Sequence, residues 1–91
     1  MTGQSFSEKT VFITGAAVGL GRAFARALTA RGANAVIAEI DIEGAQRTAG
    51  ELTSAGARAI AVSCDVADER QVETAVATSL ETFGGIDILI N

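Results

Sequence analysis

"TVFITGAAVGLGRAF", residues 10–24, is the stretch on which the fold turns. Residues 10–15 are a short β-branched run that ends in Gly15, as a fully buried strand does. A different period then begins. Leu20, Ala23, Phe24, Ala27 and Leu28 fall at i, i+3, i+4, i+7 and i+8, which predicts an amphipathic helix with that stripe inward. Arg31 and Gly32 close it, a cation in the last turn followed by a glycine suited to the left-handed end. A strand, a glycine turn and a helix therefore stand in immediate succession.

The same alternation continues outward. Residues 34–40, "NAVIAEI", read as a second strand. Asp41 is placed to cap a helix whose apolar face is Ala45, Ala49 and Leu52 and whose stop is Gly56. Residues 58–66, "RAIAVSCDV", are a third strand. Asp68 with Gln71 reads as a capping box. Val72, Ala75, Val76, Ser79, Leu80 and Phe83 keep helical period behind it, and Gly84 and Gly85 end that helix. Ile86, Ile88, Leu89 and Ile90 in "GGIDILIN", residues 84–91, form an almost continuous apolar run, the mark of a strand covered on both faces. The pattern βαβαβαβ predicts an α/β fold with a parallel sheet and right-handed crossovers.

Composition narrows the function classes. The chain has 91 residues, one domain at most, and its formal net charge of −4 with scattered arginines argues against nucleic acid as a partner. No apolar run approaches the ~20 residues of a membrane span, and the opening residues lack a signal-peptide core. A lone cysteine, Cys64, forms no internal disulfide and reads as a small buried hydrophobe, so a cytoplasmic location is expected. Histidine, tyrosine, tryptophan and proline are absent and Lys9 is the single lysine. A metal site built on histidine or paired cysteines is thereby excluded, as is a histidine or tyrosine proton carrier from these residues.

The glycine turn carries chemistry. Gly15 permits a sharp turn, Gly19 lets backbone approach a ligand without an intervening Cβ, and Gly21 allows the helix to pack closely on the sheet. Backbone N–H groups near Leu20 and Gly21 would then face a diphosphate at the positive end of the helix. A tight βα turn without a ligand would use glycine too. The spacing is not G-x-G-x-x-G, and the Lys-Ser/Thr of a nucleoside-triphosphate loop is missing.

Position sharpens the reading. Glu39 closes the second strand, where a carboxylate can accept both hydroxyls of an adenosine ribose. A 2′-phosphate ~4 Å from that carboxylate would meet repulsion of about 4 kcal/mol at an effective dielectric of ~20. Val18 offers no cation to offset it, so NAD(H) is expected over NADP(H). Asp65 and Val66 follow the third strand, where a carboxylate and a backbone N–H suit an adenine edge; polar loop residues before a helix would look the same. Arg22 and Arg26 read as a solvated helix face.

Together these residues resemble the N-terminal, cofactor-binding half of the short-chain dehydrogenase/reductase family. "TGAAVGLG" lies on the first βα turn, an acid closes the second strand, "DV" follows the third, and "DILIN" is the fourth. The resemblance covers nearly the whole chain from Thr10. It implies a Rossmann-type doubly wound parallel sheet of which these are the first four strands, in the order 3-2-1-4, truncated before the rest of the domain. It further implies that Gly15, Val18, Gly19, Leu20 and Gly21 line the diphosphate and ribose, and that Glu39 and Ile40 meet ribose and adenine. Asp65 and Val66 would contact adenine, and Asn91 matches the first asparagine of the family's N-N-A-G motif. Glu39 departs from the commoner aspartate.

The family's serine and Tyr-x-x-x-Lys pair would lie beyond the fourth strand, so no catalytic residue is assigned within these 91. The intact protein is expected to interconvert an alcohol and a carbonyl by hydride transfer, as a homo-oligomer acting on a small-molecule alcohol or ketone. A non-catalytic dinucleotide sensor is a second reading, and an S-adenosylmethionine methyltransferase a third, whose usual G-x-G-x-G turn is not matched. The 91-residue polypeptide alone, with its fourth strand at a sheet edge, is expected to be unstable or to associate.

Overall fold

Four apolar stretches pair side by side in the computed structural model, which describes residues 5–91. They are β1 (Thr10–Thr14), β2 (Asn34–Glu39), β3 (Ala59–Ser63) and β4 (Ile88–Ile90), connected by α1 (Gly19–Thr29), α2 (Ile42–Ser54) and α3 (Glu69–Phe83). Every pairing is parallel and the sheet order is β3-β2-β1-β4, as expected. The strands are shorter than the apolar runs implied. Gly15, Ile40, Cys64, Asp65 and Val66 lie just past their ends, because the ladder stops where the chain turns towards a helix, and Asn91 lies just past β4.

Alternation along the strands divides the core. Val11, Ile13, Ala35 and Ile37 pack with Ala25, Ala45, Ala49 and Leu52 of α1 and α2. Phe12, Val36 and Ala38 face the other way, onto Ala75 of α3 and Cys64. Both faces of the inner strands are thus covered, which is why their sequences are continuously apolar and do not alternate. From β1 the chain steps to β2 and β3, then α3 carries it back across the sheet to β4 beside β1. The winding direction reverses between β1 and β4, the topological switch point of such a sheet.

The inward face of α1 is not the one its large apolar residues mark. Leu20 and Phe24 are 71% and 42% exposed, while Ala25 is buried. Ala23 and Ala27 are exposed as well, and Gly21 and Leu28 are half-buried. Gly21 sets the rotation: a Cβ there would stand 2.6 Å from the Gly15 carbonyl oxygen. Gly21 thus lets the start of α1 lie against the Gly15–Ala16 turn, while Ala25 is buried in the core and Leu28, of the expected stripe, packs against it. Leu80 of α3 is likewise exposed.

At the sheet edge, β4 pairs only with β1 among the described residues, and Leu89 is 67% exposed. The expectation of a strand covered on both faces is not met within these residues. Asp87 fixes the start of this strand: its Oδ2 accepts from the Thr10 N–H at 2.8 Å, and its own N–H donates to the Thr10 carbonyl at 2.9 Å.

The helix ends follow their capping residues. The Asp41 carboxylate accepts from the Gly44 N–H at 3.0 Å, and Ala45, Ala49 and Leu52 are buried as expected, with Thr48 beside them. Asp68 accepts from the N–H groups of Arg70 and Gln71 at 3.0 and 3.3 Å. The box is modified, however: the Gln71 carbonyl oxygen takes the Asp65 N–H at 2.9 Å, while its amide donates to Asp68 Oδ2. Arg22 and Arg26 do more than solvate α1. Both guanidinium groups pair with Glu51 on α2, Arg26 at 2.9 Å, linking the two helices.

Candidate functional site

The sheet register decides which loops meet. Thr14 lies opposite Ala38, Glu39 opposite Ser63, and Ile13 opposite Ile90. The chain consequently leaves β1, β2, β3 and β4 at one common edge. A cleft of about 330 Å³ opens there, lined by Thr14, Gly15, Ala38, Glu39, Ile40, Cys64, Val66 and Asn91. Of the residues expected at a site, Gly15, Glu39, Ile40, Val66 and Asn91 meet in this wall. Val18, Gly19, Leu20 and Gly21 form the loop and helix start that continue from Gly15 and are not part of it. A larger cavity of about 740 Å³ lies between α1 and α2 around Arg22, Arg26 and Glu51 and contains no strand residue.

The loop from Gly15 to Gly21 is held in an unusual backbone path. Gly15 and Gly19 have φ of 69° and 65°, the left-handed region where a side chain is strained. Val18 stands at the N-cap of α1 and makes no side-chain hydrogen bond to it, and no acidic residue occupies the first turn. Among the described residues, the orphan N–H groups of α1 therefore have no side-chain acceptor at the positive end of this 11-residue helix. Val18 and Leu20 expose their side chains beside them.

Across the cleft, Glu39 is half-buried, and its carboxylate has no hydrogen-bond or ion-pair partner among the described residues. Its backbone carbonyl is engaged, accepting from the Cys64 N–H at 3.0 Å, so the strand end is fixed while the carboxylate stays free. Ile40 and Val66 present apolar surface on either side. Asp65 sits just outside the lining residues. One of its oxygens takes the Ala67 N–H at 2.9 Å, and its own N–H is held by Gln71, which leaves the other oxygen without a hydrogen bond among the described residues.

Three wall residues, Thr14, Ala38 and Cys64, are not among the site residues expected from sequence. Thr14 donates through Oγ1 to Asn91 Oδ1 at 2.8 Å, across the β1–β4 switch point. Its signal was only its place one residue before Gly15. Cys64 forms the buried floor; desolvation pushes its thiol above the usual range, and the charges of Asp65 and Asp68 add to that. Burial and the raised thiol both disfavour the reactive thiolate form.

The cleft offers an apolar wall and a carboxylate unpaired among the described residues, at the carboxyl edge of a parallel sheet, and the turn that leaves it at Gly15 leads to an anion-seeking helix start. That combination suits an adenosine carrying a diphosphate. Gly21 fits this use, since any Cβ would fill the space in which loop and helix meet.

Comparison with known proteins agrees. The family model for short chain dehydrogenase matches residues 9–91. A sorbitol dehydrogenase of Cereibacter sphaeroides is 46% identical over 83 residues, covering 91% of this chain and 31% of its own length. Among solved structures, the 3-ketoacyl-(acyl-carrier-protein) reductase of Brucella melitensis complexed with NADH superposes with a TM-score of 0.86 at 41% identity, covering 93% of this chain and 34% of that one. A short chain dehydrogenase/reductase of Burkholderia phymatum in complex with NAD gives 0.90 at 38% identity, covering 94% and 31%. The chain spans about a third of the length of such relatives. On this evidence the chain belongs to the short-chain dehydrogenase family of oxidoreductases.

Proposed function

We propose that these residues hold the adenosine diphosphate part of NAD(H) in an enzyme that interconverts an alcohol and a carbonyl. The observation that carries this reading is the Glu39 carboxylate, unpartnered among the described residues, in a cleft that it shares with Gly15, from which the turn to Gly21 and the start of α1 continue. The α1 N–H groups near Leu20 and Gly21 bind the diphosphate, and Gly15, Val18 and Gly19 shape the backbone around it and the ribose. Glu39 accepts the ribose hydroxyls; Ile40 and Val66 sandwich the adenine, and the free oxygen of Asp65 accepts its amino group. Asn91, held by Thr14, lies where the cofactor passes the switch point.

When bound, the nicotinamide accepts or gives the hydride. No tyrosine proton carrier is available among these 91 residues, and their single lysine, Lys9, precedes β1. The relatives named for sorbitol and galactitol oxidation support a small alcohol or ketone as the partner substrate. Preference for NAD(H) over NADP(H) follows from Glu39, since a 2′-phosphate beside it meets like charge. A soluble homo-oligomer in the cytoplasm is part of the same reading. Calorimetric titration of the full encoded chain with NADH, NADPH and S-adenosylmethionine tests it. NADH is expected to bind tightest, and binding of S-adenosylmethionine alone would contradict it.

A further inference from the structure

Thr48 stands on α2, yet its hydroxyl serves the glycine loop. Its side chain is buried, with 1% exposed, and Oγ1 donates to the Ala16 carbonyl at 2.9 Å and lies 3.4 Å from that of Ala17. This is not the habit of threonine in a helix. Thr29, Thr53, Thr74 and Thr78 all bond back to the carbonyl four residues earlier on their own helix. Thr48 instead reaches across to another element.

Gly44 makes that reach possible. A Cβ on Gly44 would stand 2.8 Å from the Ala17 Cβ and 2.5 Å from Asp41 Oδ2, so only glycine lets α2 approach the loop this closely. In a planar trans peptide, the carbonyl of one residue and the N–H of the next point in opposite directions. Drawing the Ala16 and Ala17 carbonyls towards α2 therefore turns the N–H groups of Ala17 and Val18 away from it. Carbonyl oxygens left facing an anion would repel it. One buried hydroxyl thus removes two such oxygens from the ligand side and fixes the segment between Gly15 and Gly19.

We infer that Thr48 is a positioning residue for the diphosphate loop, acting through its hydroxyl on Ala16 and Ala17; this rests on the dinucleotide reading above. The test compares Thr48→Val, close in shape but without the donor, with Thr48→Ser, which keeps the donor, in the full encoded chain. Affinities for ADP-ribose and for adenosine are measured by calorimetry.

Thr48→Val is expected to weaken ADP-ribose about 3- to 10-fold, the loss of one hydrogen bond's worth of order, and to leave adenosine within about twofold. Thr48→Ser is expected to retain ADP-ribose affinity within about twofold. Unchanged affinity in Thr48→Val overturns the inference, and so does an equal loss in both variants, which would assign the effect to the methyl group. A matching loss for adenosine would show a generally deformed site and also contradict it. Should Thr48→Val not fold, Thr48→Ser still decides: a loss of about tenfold contradicts a role for the hydroxyl. A wild-type chain that binds no ADP-ribose contradicts the dinucleotide reading itself, a result distinct from all of these.

Discussion

Thr14 Oγ1 donates a 2.8 Å hydrogen bond to Oδ1 of Asn91, joining the last residue of β1 to the residue after β4. The two strands are paired in parallel and both residues line the cleft at their ends, so the bond lies in its wall. It is exposed to solvent, which limits its contribution. A double-mutant cycle with Thr14→Val and Asn91→Ala, followed by denaturant unfolding of the full chain, is expected to give a coupling of about 0.5–1 kcal/mol. Additive effects would mean that the two side chains act independently.

The glycines of the loop should differ in sensitivity. A Cβ at Gly21 meets the backbone of Gly15 and Ala16, neither of which can move without shifting β1 or α1. A Cβ at Gly19 meets nothing within 4 Å and suffers only from φ of 65°. Gly21→Ala is expected to cost about 3 kcal/mol of stability, and Gly19→Ala roughly 1 kcal/mol. Denaturant midpoints check the order; a more damaging Gly19→Ala would refute the packing argument.

Glu51 gives a pH dependence. Hydrogen bonds from Arg22 and then Arg26 hold its carboxyl below the ordinary range. Because the folded value lies below the unfolded one, the pairing stabilises above the ordinary carboxylate range. That contribution disappears as the pH falls through the folded value. The melting-temperature gap between wild type and Glu51→Gln should therefore be widest near neutral pH and shrink as the pH falls through and below the ordinary carboxylate range. Solvent exposure of the three side chains keeps the gap small. A gap that widens in acid would contradict the sign.

Cys64 should be chemically quiet. Its sulfur is buried and its thiol is pushed up by desolvation, so little thiolate is present at neutral pH. Labelling with a chromogenic disulfide reagent is expected to be slow in the folded protein and rapid in denaturant. Equal rates would show an accessible thiolate.

Much of this architecture was legible because local chemistry and global topology agree. Gly15, Glu39 and Val66 could be assigned to one site since each directly ends or follows a strand, and parallel strands deliver their ends to one edge. Asp41 and Asp68 announced their helices through capping chemistry. The rotation of α1 was legible only in part: Leu28 of the expected stripe packs on the core, but periodicity ranks Leu20 and Phe24 by hydrophobicity, whereas close approach favours the small Gly21 against the turn and Ala25 in the core. The Thr14–Asn91 bond joins residues 77 apart, and Thr48 reaches a loop 32 residues away; no local pattern marks either. The bridge from Arg22 and Arg26 to Glu51 is hidden for the same reason, since on each helix alone these are ordinary surface charges.

The central claim is that the free carboxylate of Glu39 receives the adenosine ribose and thereby selects the cofactor. Dissociation constants for NADH and NADPH, measured by calorimetry on the full chain and on Glu39→Ala, test it most directly. A full repulsion of about 4 kcal/mol would be diluted by solvent and salt, so NADH is expected to bind at least about tenfold tighter than NADPH. Glu39→Ala should narrow that ratio towards unity by weakening NADH and strengthening NADPH. Equal affinities in the wild-type chain, or a ratio unmoved by Glu39→Ala, would contradict the account.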